Sequence, residues 1–258
     1  MSDVYGIEDE LPRVDLPGRV VVRGLADDAV DAAAADLYVH ALDCVRAFGD
    51  LHLLLTAGET QDRLYKRLMV DPRFRDWPWA RTHLWLAHEG PHGPGDERSV
   101  YERVLGWFGD HAGIPGEQVH WIAEDETAYE RELQSVLQWR EKGHDRPDIA
   151  VLGLGAGGAV AGLRPEAGLH AIGEIAGDVP LVLGTGLDDG GDRVTVSVRL
   201  LNATRFVAVL AFGDAGWAGV DAVRAGDGAA ARLAPIGGEL RWYLDAPAGG
   251  SFQNGGGS

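Results

Sequence analysis

The sequence predicts an α/β fold: a mostly parallel, doubly wound sheet with helices on both faces, Rossmann-like in architecture. Two observations carry that prediction. Short apolar runs alternate along the chain with longer amphipathic ones, which is the rhythm of strand–helix units in a parallel sheet. Several apolar runs also end on glycine and lead directly into a helical pattern, as buried strands do in such folds.

Taken in order, residues 28–48 read as a helix, with acidic residues in the first turn and apolar residues at helical spacing. LHLLLTAG (51–58) is a buried-strand run, and residues 59–70 follow as a helix with Leu64 and Leu68 on one face. RTHLWLAH (81–88) is the next strand, residues 97–108 a helix, VHWIA (119–123) a short strand and residues 125–142 a helix. DIAVLGLG (148–155) is the most strand-like segment; RVTVSV (193–198), RFVAVLAFG (205–213) and ELRWYLD (239–245) complete the set. Ligands on such sheets sit beyond the strand C-terminal ends. The loops 56–61, 88–98, 153–165 and 213–217 are therefore where chemistry is expected.

With 258 residues, 45% of them hydrophobic, the chain has enough apolar material for a real core. The expected organisation is an N-terminal extension (1–19), a single α/β domain (20–248) and a glycine-rich tail (249–258). A net charge of −17 argues against a nucleic-acid or anionic-membrane partner. Only Lys66 and Lys142 are lysines among the 23 basic residues. A phosphate or carboxylate ligand is thus expected to meet arginine, backbone N–H groups or a helix N-terminus. Cys44 is the single cysteine, which excludes an intrachain disulfide and a four-thiolate zinc site; it reads as a small buried hydrophobe. The opening MSDVYGIEDEL is acidic where a signal peptide is basic, and the uncharged stretch 149–163 is too short and glycine-rich to span a bilayer. A cytoplasmic location is expected.

Three loops carry candidate chemistry. In TAGETQ (56–61), Thr56, Gly58 and Thr60 offer hydroxyls and close backbone approach for an anion at a helix N-terminus, although Glu59 sets a carboxylate there. GLGAGG (153–158) spells G-x-G-x-x-G after a strand, the dinucleotide fingerprint, which by itself is a weak signal; glycines that only let helix and sheet pack closely explain it as well. His88 and Glu89 lie just past a strand with His92 and several glycines and prolines, either a base, acid or ligand set or exposed loop residues with no chemical role. None of the nine histidines forms a zinc-protease pair and no G-x-S-x-G elbow is present, so neither a metal nor another cofactor is expected. Trp77, Trp79, Trp85 and Trp242 read as packing residues rather than sugar-stacking platforms.

Together these segments resemble the 6-phosphogluconolactonase family, within the group that includes glucosamine-6-phosphate isomerases, from about residue 20 to 248. HLLLTAGETQDRLYKRL resembles the family's first strand and sugar-phosphate loop, LSGGSTP followed by a Leu-Tyr helix. Thr56 stands for the serine, Ala57 and Gly58 for the glycine pair, Glu59 for the second serine and Gln61 for the proline; Thr60, Leu64 and Tyr65 are kept. His88, Glu89 and Gly90 occupy an Asp-Glu-Arg motif, and only Glu89 agrees. Ser99 and Tyr101 match a Ser-Asn-Tyr that opens the next helix, with Val100 for the asparagine. DIAVLGLGAGGAVAGLRP resembles the strand followed by Gly-x-Gly-x-Asp-Gly-His-Thr-Ala-Ser-Leu-Phe-Pro. Gly153, Gly155, Gly158, Ala161, Leu163 and Pro165 match; Gly157 replaces the aspartate, Ala159 the histidine and Arg164 the phenylalanine. Arg193, Thr195 and Asn202 match a later segment, a family lysine falls on Gly216, and ELRWYLD resembles the last strand through Trp242 and Asp245.

The resemblance implies a sugar-phosphate lactonase scaffold in which the histidine is the base that activates water. Ala159 has no titratable group, so a catalytically degenerate member is expected, acting in ligand binding or protein interaction. The expected ligand is a sugar or sugar phosphate, held by Thr56, Gly58, Thr60, Gly155, Gly157, Gly158, Arg164 and Arg193. Two alternatives stand beside this: a hydrolase for a different sugar lactone or ester using His88 and Glu89, and nucleotide binding through the 153–158 glycine loop.

Overall fold

The computed structural model describes residues 11–122, 125–138, 140–142, 144–163, 179–186 and 192–250. The chain runs β1 (Arg19–Arg23), α1 (Ala26–Phe48), β2 (Leu51–Leu55), α2 (Glu59–Val70), β3 (Thr82–Leu86), β4 (His88–Glu89), α3 (Val100–Ala112), β5 (Val119–His120) and α4 (Glu126–Leu137). It continues through β6 (Ile149–Gly153), β7 (Val182–Gly186), β8 (Asp192–Val196), α5 (Val198–Ala203), β9 (Phe206–Ala211), α6 (Gly213–Arg224) and β10 (Glu239–Asp245). Seven strands form one sheet in the order β1-β10-β9-β6-β2-β3-β5, every pair parallel. A second, antiparallel sheet has the order β4-β8-β7.

The continuous apolar runs are explained by double coverage. All residues of β2 and β9 are buried, as strands covered on both faces require. Alternate side chains of the sheet point to opposite faces. On one face, α1 stacks His40 on Phe206 and accepts the Tyr243 hydroxyl at Asp36. On the other, α4 sets Tyr129 edge-on to Trp85 and Glu132 against His120. Trp77, Trp85 and Trp242 are core residues. Cys44 is buried on α1, and burial pushes its thiol up to about 12, so it behaves as a hydrophobe. No helix of the described residues is long and apolar enough to cross a membrane.

Several boundaries differ from expectation. RVVVR, read as part of no element, is the edge strand β1, in register with Arg241–Asp245 of β10. Ahead of it, Leu16 is buried and the Pro17 carbonyl accepts the Trp242 indole at 2.6 Å. Helix α3 begins at Val100, after Ser99 accepts from the Glu102 amide, and ends at a left-handed Gly113. Residues 213–217 are the first turn of α6 rather than a loop, and the preceding strand stops at Ala211. Of the described residues 119–122, Val119 and His120 join the ladder.

The helix expected to reach 142 ends at Leu137 because Arg140 turns inward. Asp148 is wholly buried, and its carboxylate accepts from Arg140 through both terminal nitrogens at 2.9 Å, from Arg205 Nε at 3.0 Å and from the His52 amide at 2.8 Å. Arg140 also reaches Asp50. One carboxylate therefore ties the start of β2, the start of β6 and the approach to β9. Removing one partner of a buried ion pair leaves an uncompensated charge, which costs about 3–5 kcal/mol. Asp148→Ala is expected to lower the unfolding free energy by an amount in that range, read by urea denaturation. Asp43→Ala, whose Arg46 partner is exposed, is expected to cost under about 1 kcal/mol in the same measurement.

Candidate functional site

Between β2 and β6 the strand order reverses: the chain leaves β2 for β3 on one side and leaves β6 toward β9 on the other. Such a switch point opens a crevice beyond the strand C-terminal ends, flanked here by the loops 56–58 and 154–163.

Thr56 is 2% exposed. Its hydroxyl donates to Val151 O at 3.0 Å and accepts from Gln61 Nε2 at 2.8 Å, while its carbonyl accepts the Tyr65 hydroxyl. That hydroxyl, expected to meet an anion, is instead part of an internal tie between β2, β6 and α2. Gln61 is the site residue that sequence reasoning missed. It lies on the buried stripe Gln61, Leu64, Tyr65, Leu68 of α2, a helical periodicity that already places position 61 inward. A Cβ at Gly58 would fall 2.7 Å from Gln61 Oε1, and one at Gly153 would collide with its amide nitrogen. The two glycines make room for this amide, which fills the base of the crevice. Thr60 is half-buried and Glu59 exposed on the first turn of α2.

Past Gly153 the chain makes a 3₁₀ turn at Ala156–Gly158, then two antiparallel bridges, Gly155↔Ala159 and Val160↔Leu163. Gly157 and Gly158 have φ of 66° and 75°, which suits glycine. A Cβ on Gly158 would lie 2.5 Å from Asp227 O, and one on Gly228 2.6 Å from Gly158 O. The glycine run thus serves backbone-to-backbone packing against the turn after α6. The dinucleotide fingerprint needs a helix opening on its third glycine. Here a tight bridged turn follows instead, which removes the physical basis of the nucleotide expectation.

Ala159 is half-buried, and its carbonyl accepts the Gly155 amide at 2.8 Å. Its methyl group is what the resemblance sets in the place of a base. The position matched to a lysine, Gly216, has no space: a Cβ would come within 2.8 Å of the Ala211 carbonyl carbon and 3.1 Å of Ala248 Cβ. Gly90, matched to an arginine, is open by contrast, with the nearest atom to a Cβ at 3.9 Å.

His88 and Glu89 are not in an exposed loop. They form β4, paired with Thr195 and Val194 of β8. Glu89 is 4% exposed and its carboxylate is saturated: Oε1 accepts from the Gly90 and Val100 amides at 2.8 and 3.0 Å, and Oε2 from Ser99 Oγ and the Tyr101 amide at 2.9 Å each. It caps α3, where a negative charge also meets the positive end of the helix dipole. Asp245 does the same for α6, accepting from the Gly213 amide at 3.0 Å and the Ala248 amide at 2.9 Å. Thr195 is buried and holds β8 to Ala87 O and Ala161 O. Arg193 is placed by its backbone alone, opposite Thr185 in the β7–β8 ladder; Arg164 lies outside the described residues. Among the described residues, the His and carboxylate donors close enough to share a metal ion lie at the other end of the sheet.

The chain matches the family of glucosamine-6-phosphate isomerases and 6-phosphogluconolactonase over residues 25–242. It is 28% identical over 205 residues to the human GDH/6PGL endoplasmic bifunctional protein, a match covering 75% of this chain and 24% of that protein, so it spans about a quarter of that relative's length. It is 24% identical over 234 residues to the 6-phosphogluconolactonase of Haemophilus influenzae, covering 86% of this chain and 95% of the relative. The crystal structure of 6-phosphogluconolactonase from Thermotoga maritima superposes with a TM-score of 0.72 at 22% identity, over 88% of this chain and 100% of that one. That fold likeness, the crevice at β2 and β6 and the family match across most of the sequence agree: this chain belongs to the glucosamine-6-phosphate isomerase/6-phosphogluconolactonase family.

Proposed function

We propose that this chain keeps the family's sugar-phosphate crevice but not its hydrolytic machinery, and that it acts by binding rather than by turnover. One observation supports this above others. Side chains that agree with the lactonase pattern hold the fold together. Tyr65 holds the Thr56 carbonyl, Glu89 and Ser99 build the α3 cap, Thr195 pins β8 to Ala161 and Asp245 caps α6. At four of the positions where the sequence disagrees, Gly90, Gly157, Ala159 and Gly216, the pattern has a group with chemical work, namely two cations, an acid and the base. A scaffold relieved of catalysis retains the first set and is free to lose the second.

The magnitudes agree. A positioned general base contributes about 10²–10⁴-fold in rate, and a methyl group at 159 contributes none of it. Each lost charged hydrogen bond to a phosphate weakens binding by about 1.5–3 kcal/mol. The hydrolase that relocates its chemistry to His88 and Glu89 is not favoured. All four contacts of the Glu89 carboxylate are internal, so it has no oxygen left to orient an imidazole or take a proton from water.

Purified protein is expected to hydrolyse 6-phosphoglucono-δ-lactone no faster than the spontaneous reaction, measured by pH-stat. Turnover well above that rate, abolished by Arg193→Ala, would overturn the reading. The paired replacement Gly157→Asp with Ala159→His is expected to produce measurable turnover, since aspartate tolerates the left-handed backbone at 157. Glu89→Ala is expected to lower unfolding stability by about 2 kcal/mol or more, because the Val100 and Tyr101 amides lose their acceptor inside the fold. Chemical denaturation reads this; a stability unchanged within about 0.5 kcal/mol would return Glu89 to the chemical candidates.

A further inference from the structure

β1 closes one side of the main sheet and pairs with β10 alone. Its sequence, Arg-Val-Val-Val-Arg, is symmetric about Val21. Strand alternation puts Arg19, Val21 and Arg23 on one face and Val20 and Val22 on the other. Val21 is buried, Val20 and Val22 are half-buried, and both arginines are exposed. An edge strand presents a row of N–H and C=O groups that its single neighbour does not use, a template for pairing with another chain. Beside that row lies a groove of about 590 Å³ between residues 12–16 and β1. Among the described residues no backbone hydrogen bond joins 12–16 to β1, so the edge is open.

The charges along it narrow what it accepts. The chain has 40 acidic residues against 23 basic ones, and arginines elsewhere meet carboxylates, as Arg67, Arg103 and Arg241 do. Arg13, Arg19 and Arg23 line the groove, and among the described residues none of them forms an ion pair. Arg23 donates to the Val22 carbonyl at 3.0 Å, and Asp15 is the carboxylate of the lining. Three arginines against one carboxylate make this a positive strip on a strongly acidic molecule. We infer that the free edge of β1 docks an extended acidic segment of another protein, added to the sheet as a further strand, with acids four residues apart and apolar residues between them.

In strand addition the main chain supplies affinity and alternate side chains supply specificity. Acids opposite Arg19 and Arg23 share a face with an apolar residue opposite Val21. The two intervening residues meet Val20 and Val22 on the other face. Because Arg-Val-Val-Val-Arg reads alike in both directions, the match holds for a parallel or an antiparallel partner. A second copy of this chain fits less well: pairing two β1 edges antiparallel about Val21 sets each Arg19 opposite an Arg23, and like charges directly opposite destabilise a sheet. The same charges reject basic strands, which makes them a selective element as well as a guard against aggregation. The edge lies three strands from β6, so the site stands whether or not the crevice turns over a substrate.

The test uses the full chain and a fluorescein-labelled peptide, Ser-Glu-Val-Val-Val-Glu-Ser with blocked ends, followed by fluorescence anisotropy at low ionic strength. Saturable binding is expected, weakening as salt is added. The counterpart with lysine for glutamate is expected not to bind. Arg19→Glu combined with Arg23→Glu is expected to weaken the acidic peptide by about tenfold or more and to let the lysine peptide bind. Both residues are exposed, and an unchanged melting temperature checks that the variant is folded. N-methylation of alternate peptide amides separates strand addition from plain charge attraction: one alternate set is expected to abolish binding and the other to be tolerated. Hydrogen exchange of the β1 amides, read by mass spectrometry, is expected to slow on binding. The proposal is overturned if the wild-type chain shows no saturable binding, if the charge reversal leaves it unchanged, or if it survives methylation of either set. Self-association in sedimentation that Arg19→Glu abolishes would assign the edge to a second copy and overturn it too.

Discussion

Because every strand of the main sheet runs the same way, the molecule has two chemically different ends, and the rest of the structure follows from that constraint. At the C-terminal ends of the strands lie helix N-termini, with unpaired N–H groups and a partial positive charge. The chain meets them with its own carboxylates, Glu89 on α3 and Asp245 on α6. At the opposite end lie helix C-termini and their orphan carbonyls, and guanidinium groups gather there. Arg81 donates to Gly49 O at the end of α1, and Arg146 to Ala203 O at the end of α5. Arg140 and Arg205 share Asp148 between them. In a chain with 23 basic residues against 40 acidic ones, Arg81, Arg140, Arg146 and Arg205 are thus committed to holding strand entrances.

That distribution bears on the crevice. Its helix N-termini are the natural anion sites of the fold, and two of them are already occupied by side chains of the chain itself. The third, on α2, has acidic residues Glu59 and Asp62 in its first turn and no side-chain cap. Thr56 is turned inward and Gln61 fills the base. Among the described residues of the loops 56–58 and 154–163, what remains is mostly backbone, glycine and methyl. Such a surface can accept a ring by shape and main-chain hydrogen bonds, while offering little to stabilise a developing oxyanion or to remove a proton from water.

The architecture is legible in the sequence because double coverage of parallel strands writes itself as continuous apolar runs, and β2, β6 and β9 are such runs. β1 escapes because an edge strand is half exposed and RVVVR begins and ends in arginine. The end of α4 escapes because the helical pattern continues past Leu137. Only the buried Asp148, which lies beyond the helix at the mouth of β6, explains why Arg140 turns in. At the crevice the glycines are visible but their purpose is not: Gly158 answers to Gly228 and Gly153 to Gln61, partners that no local window contains. Glu89 stands out by its type and its place past a strand. Its saturation by four donors is a property of the fold around it.

The His52–His83–His120 face stands apart from all of this, since neither the strand entrances nor the core demands it. Strand starts on a buried face are ordinarily apolar, and an imidazole there must find a partner for each nitrogen. Here the partners are found in series, from Glu132 through His120 to His83, and from Trp85 to His52. The series stops at His83 Nε2 and the His52–Asp50 pair, on the side where Asp50 and His83 approach solvent. The stacked His52 and His83 rings join β2 and β3 at their entrances, four residues before Thr56 on a strand buried along its length. The pair lies about 13 Å from the crevice at the rise of a β-strand, too far to touch a ligand in it. The effect of these imidazoles belongs to the anchoring of two central strands and not to the chemistry of the loops.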